Sequence, residues 1–277
     1  MKLIPIDTRS LFKPLQAKLI SLLHSLKPSD WQKQTVAKEW KVKDVVSHIL
    51  DGQLRVLSIQ RDKYFGEQAP KSNQHKDVVQ WLNQLNKDWV LATKRLSPPT
   101  LIFLLESISE LVTAYYQSLD PWEEAIFPVS WAGETSSLNW MHLAREYTEY
   151  WHHQQQIRAA VNKPGIMTHE FFYPVLDTFF LALPHTFRNI DAEQGTIIEA
   201  KVSGDAGGSW FLVRKEGAWK LSKQVETLST ASVHIPLDLS WILFSKSIRS
   251  EKVLDQVELK GDLDLAKQVL EMVSVMA

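Results

Sequence analysis

The sequence contains no cysteine. That excludes disulfides, a cysteine nucleophile and a thiolate metal ligand, so any thiol chemistry must use sulfur from outside the chain. Neither sign of charge is in excess: 31 Lys and Arg stand against 32 Asp and Glu, a formal net charge of −1. Nothing in that balance favours nucleic acid or an anionic membrane as a partner. No apolar run approaches the ~18 residues that cross a bilayer. Residues 1–13 lack the apolar stretch of a secretory signal, so a soluble cytoplasmic protein is expected. Glycine is scarce early on, with six of the ten placed after Gly165.

What is present is a chain of 277 residues, 44% hydrophobic and 23% charged, long enough for one large or two ordinary domains with a real core. Eight of its 11 tryptophans precede Gly165. Leu11, Leu15, Leu19, Leu22, Leu23 and Leu26 recur at helical spacing, which predicts a helix over 10–26 with Pro14 in its first turn. Val42, Val45, Val46, Ile49 and Val56 mark a second helix over 42–64, with His48 beside its apolar stripe. A polar connection over 66–73 leads to a third helix over 76–96, and after Ser97-Pro98-Pro99 a fourth over 101–119. The loop 120–137 is long for a compact domain, a length associated with function. The first 165 residues therefore read as an all-α bundle of the four-helix kind.

Past Pro164-Gly165 the texture changes. A helix over 167–188 contains Pro174 and Pro184. Alternation then predicts strands over 196–203, 209–215, 218–222, 231–235 and 257–260, with a short helix over 237–244 and a final one after Gly261-Asp262. Residues 166–277 are expected to form an α+β domain with an antiparallel sheet.

The stretch 138–161, LNWMHLAREYTEYWHHQQQIRAAV, holds no Pro or Gly and reads as one long helix. Glu149 and His153 are four apart on it, one turn up the same face, where a carboxylate and an imidazole can share a metal ion. Gln156 continues that face. His152 points about 100° away from His153 round the helix. His142, Arg145, Arg158, Trp40, Trp151 and Arg249 are further candidates for lining a pocket or meeting an anionic substrate.

Two segments now carry a resemblance. Trp31, Thr35 and the run Trp40-Lys41-Val42-Lys43-Asp44-Val45-Val46-Ser47-His48-Ile49 resemble the start of the DinB/YfiT-like metal-binding bundles. Glu149-Tyr150-Trp151-His152-His153-Gln154-Gln155-Gln156-Ile157 resembles the second half of that signature, in the Glu-x3-His variant of the mycothiol-dependent maleylpyruvate isomerase group. In that group a sterol-carrier-like domain follows the bundle, and the C-terminal part here is similar in element order. The resemblance implies a divalent metal held by His48, Glu149 and His153. Two imidazoles and a carboxylate suit zinc, with nickel, iron or manganese as alternatives, and leave a coordination position open. It also implies a small thiol cosubstrate and a small-molecule substrate. The expected function is a metal-dependent thiol transferase or isomerase. The alternative is a non-catalytic protein that binds a metal or a small, apolar molecule.

Overall fold

A computed structural model describes residues 5–68, 70 and 75–274. Half of the polar connection expected over 66–73 lies outside the described residues. In chain order the elements are α1 (Phe12–His24), α2 (Val42–Arg55), α3 (His75–Thr93), α4 (Pro98–Ser118), α5 (Asn139–Val161), α6 (His169–Phe180), α7 (Leu183–Thr186), β1 (Ile197–Val202), β2 (Gly208–Lys215), β3 (Ala218–Ser222), β4 (Ala231–Ile235), α8 (Leu237–Phe244), β5 (Glu258–Gly261) and α9 (Leu263–Val269). They fall into two compact units, one of Asp7–Ile126 with Glu149–Ile166 and one of Met1–Ile6, Phe127–Thr148 and Met167–Ala277. The second half of α5 thus belongs to the first unit and its first half to the other.

The first unit is helical. The apolar stripes of α1, α2, α4 and α5 interlock: Leu19, Leu22 and Leu23 meet Val42, Val45, Val46 and Ile49, with Leu101, Leu105 and Ile157 closing the cluster. Burying aliphatic side chains of this size stabilises by about 1.5–3 kcal/mol each. Asp44 accepts the Lys41 backbone N–H (3.0 Å) and so starts α2. Ser97 accepts the Thr100 N–H, and Pro98 and Pro99 fill the first turn of α4 where no N–H is needed. The second helix does not run on regularly to residue 64. Its last stretch, Val56–Arg61, is wound as a π-helix.

The second unit carries a five-stranded sheet in the order β3-β2-β1-β4-β5. The expectation of an antiparallel sheet needs correcting at one pair. β1 and β4 run parallel, while β1–β2, β2–β3 and β4–β5 are antiparallel. Hairpins join β1 to β2 and β2 to β3. Residues 223–230 then return along the sheet, so that β4 docks on the open edge of β1 in the same direction. In its core Phe180 from α6 stacks on Trp210 from β2 and meets Phe244 from α8 edge to face. The expected single helix over 167–188 is two: Pro174 is accommodated inside α6, whereas Pro184 sits in the first turn of the separate α7. At the end of β5, Gly261 has φ +72°, and a Cβ there would lie 2.1 Å from the Thr230 carbonyl oxygen, so only glycine fits. Asp262 follows and caps α9 through the N–H groups of Asp264 and Leu265.

Candidate functional site

The site lies wholly in the helical unit and is built from α2, the loop before it and the second half of α5. The loop is tied by its own side chains. Thr35 Oγ1 donates to the Trp40 carbonyl (2.7 Å), and the Gln34 amide reaches the carbonyls of Ala37, Lys38 and Trp40. This closed turn presents the Trp40 indole to His48, with ring centroids 4.7 Å apart. Trp40 also lies 6.2 Å from the His153 ring.

His48 and His153 meet edge to face, with centroids at 4.7 Å and an interplanar angle of 80°. His153 Nε2 is 3.5 Å from Glu149 Oε2, as one turn of helix predicts. The Glu149 side chain keeps 29% of its exposure and that of His153 13%. Gln156 stands between two rings: its Oε1 is 3.0 Å from His153 Nδ1 and its Nε2 is 2.9 Å from His152 Nε2. His48 Nδ1 is buried and has no hydrogen-bond partner. The three residues singled out from the sequence are therefore neighbours in space. They do not yet converge: among the described residues, no three His, Asp or Glu side chains are arranged as a finished metal cage.

Burial favours the neutral form of two of these rings, His48 and His152. Burial pushes the His48 pKa well below its ordinary value, helped by the neighbouring charges of His153 and Arg55 and opposed by Glu149. His152, buried and beside His153, is lowered to about 3. A neutral imidazole is the form that binds metal. A buried, unsatisfied nitrogen such as His48 Nδ1 costs about 1–3 kcal/mol and needs a reason to persist.

The other candidates separate. Trp151 is fully buried and donates Nε1–H to the Ile166 carbonyl (3.0 Å). Arg158 does not await an anion. Its guanidinium donates to the carbonyls of Lys163, Pro164 and Lys18, fastening the end of α5. His142, Arg145 and Glu146 form their own cluster in the other unit. There Arg145 donates to His142 Nδ1 (3.1 Å) and pairs with Glu146, and burial lowers His142 to about 4. Arg249 is exposed in that unit. What the sequence reading missed is the double role of Gln156. Its spacing of three and four from the two histidines was the available signal.

A family model described as the mycothiol maleylpyruvate isomerase N-terminal domain matches residues 12–158. Among solved structures, the mycothiol-dependent maleylpyruvate isomerase is similar with a TM-score of 0.53 at 11% identity, covering 88% of this chain and 90% of that one. A mutant of that enzyme gives a TM-score of 0.52 at the same identity and coverage. At such identity the likeness is one of fold. A sterol carrier protein 2 like protein from Aedes aegypti covers 35% of this chain and 95% of its own, at 18% identity and a TM-score of 0.28. No curated protein matches by sequence. Among the described residues no helix is long and apolar enough to cross a membrane.

Proposed function

The chain belongs to the family described as the mycothiol maleylpyruvate isomerase N-terminal domain, and from that membership we propose an enzyme of isomerase or transferase type that works on a small molecule with an external low-molecular-weight thiol. His48, Glu149 and His153 are its divalent-metal ligands in this reading. The observation that carries it is the proximity of these residues, on two different helices, together with a buried, unpartnered nitrogen on the His48 ring.

The donor chemistry fits. Two neutral imidazoles and one carboxylate suit zinc and leave room for a further ligand. A divalent metal there supplies Lewis-acid charge that favours the anionic form of a thiol or of water. The protein's own contribution is positional. α2 and α5 fix His48 and the Glu149–His153 pair on facing surfaces. The Trp40 indole packs beside the His48 ring and lies near that of His153. Glu149 offsets one of the two charges of the ion. With no cysteine in the chain, the sulfur comes from the cosubstrate.

The holoprotein should accelerate the addition or transfer of a small thiol to an activated electrophile, and the metal-free protein should not. A panel of mycothiol-, bacillithiol- and glutathione-type thiols decides this. If none gives a metal-dependent rate, the protein is a binder and not a catalyst.

Metal removal should also lower the melting temperature. A ligand bound only to the native state, at a concentration ~1,000 times its Kd, stabilises by about 4 kcal/mol. For a unit of this size that is a shift on the order of 10 °C. Calorimetry with and without chelator reads it, and an unchanged melt after verified stripping would argue against ligands from two helices.

A further inference from the structure

We propose that Gln156 sets the tautomers of two adjacent histidines, and that by doing so it aims the His153 Nε2 lone pair at the side Glu149 occupies. Gln156 is thereby a positioning residue of the metal centre; the inference rests on the metal reading above. The logic follows from what an amide can do. Its oxygen only accepts and its nitrogen only donates. The 3.0 Å contact of Gln156 Oε1 with His153 Nδ1 therefore requires that nitrogen to carry the proton. In the neutral ring Nε2 is then a bare lone pair. In the 2.9 Å contact of Gln156 Nε2 with His152 Nε2 the ring nitrogen is the acceptor, which again leaves the proton on Nδ1. One side chain thus holds two neighbouring rings in the same Nδ1–H tautomer, accepting from one and donating to the other.

The need for this control lies in Glu149. Its carboxylate is 3.5 Å from His153 Nε2. Left alone, a carboxylate at that range draws the single imidazole proton to Nε2, since an N–H facing an anion is favoured over a lone pair facing it. The ring would then pair with Glu149 and lose its nitrogen ligand on that side. Gln156 opposes this by giving the proton a better acceptor at Nδ1. The nitrogen and the carboxylate are left as two electron-rich groups face to face, an arrangement that a cation held by both relieves. Such outer partners fix the tautomer and orientation of ligating histidines, and losing one costs about 10–100-fold in metal affinity.

The experiment uses the full chain, metal-free and zinc-loaded, with Gln156→Ala and Gln156→Glu. Long-range 15N–1H correlation of the histidine rings at mildly alkaline pH reads each tautomer directly, and a competing chelator reads the zinc Kd. In the native metal-free protein His153 is expected as the Nδ1–H form and His152 likewise. In Gln156→Ala, His153 should shift toward Nε2–H, and zinc should bind about 10–100-fold more weakly. Gln156→Glu keeps an acceptor for His153 Nδ1–H, so it should restore the His153 tautomer while turning His152 to Nε2–H. A merely structural glutamine would not produce that split between the two rings. A native His153 in the Nε2–H form, or equal zinc affinity in native protein and Gln156→Ala, overturns the inference and leaves the metal reading standing. Native protein that binds no zinc overturns the metal reading and with it the positioning role, whatever the ring nitrogens show.

Discussion

Alanine at His48, Glu149 or His153 is expected to strip the purified protein of most of its metal, whereas alanine at His152 leaves most of it in place. The four side chains are close in sequence or space, but their geometry differs. His153 presents Nε2 to the Glu149 carboxylate at 3.5 Å and its ring meets that of His48 in a T-shaped contact. His152 spends its Nε2 on the Gln156 amide. On the proposed assignment, removing one of three protein ligands would leave two, too few to hold a divalent ion through purification. Removing His152 takes away only a partner of Gln156, a loss of about 10–100-fold that a tight site survives. Burial makes His48 the most sensitive of the set, because its neutral, unpartnered nitrogen has no other evident use in the fold. Elemental analysis of the four proteins, normalised to protein concentration, separates the outcomes. Metal lost from His152→Ala and kept in His153→Ala would place the wrong ring in the ligand set.

Trp151→Ala is expected to be the most damaging change to the helical unit away from the ligands. The indole is fully buried, and its N–H satisfies the Ile166 carbonyl. Truncating a core tryptophan costs about 3–5 kcal/mol through lost contacts and the cavity left behind. The orphaned carbonyl adds about 1–3 kcal/mol where water does not reach it. Trp151→Phe keeps most of the volume and loses the hydrogen bond, so its cost should fall near the second figure alone. Urea unfolding followed by far-UV circular dichroism measures both. An alanine variant within about 1 kcal/mol of native would mean that the indole borders open space and not a core.

How legible this molecule was depends on which physics each feature uses. The helices were readable because their buried stripes recur at the α-helical period: Leu15, Leu19, Leu22 and Leu23 on α1, and Val42, Val45, Val46 and Ile49 on α2, are all buried. The π-helical turn at Val56–Arg61 was not, since residue type barely distinguishes a fifth-residue hydrogen bond from a fourth. Ser97-Pro98-Pro99 read as a break, yet it both ends one helix and starts the next, which proline permits only in a first turn. The strands were readable by alternation. The parallel β1–β4 pair was not, because alternation reports which face is buried and says nothing of which strand lies alongside. For the site, Glu149 and His153 followed from helical spacing. His48 followed only from the resemblance, since nothing local connects residues a hundred positions apart. The two-ring contact of Gln156 became visible only with side chains in place.

The strand order has a consequence for synthesis. β1 lies mid-sheet, but its two neighbours are made at different times: β2 follows almost at once, while β4 waits until residues 231–235 have been translated. During that interval the nascent chain carries a three-stranded meander whose apolar β1 has one row of N–H and C=O groups bare. An open edge of that kind invites pairing with a neighbouring nascent chain. A stop codon or pause between β3 and β4 therefore yields a sticky species, and the ribosome-bound intermediate just before β4 is where a chaperone has the most to protect.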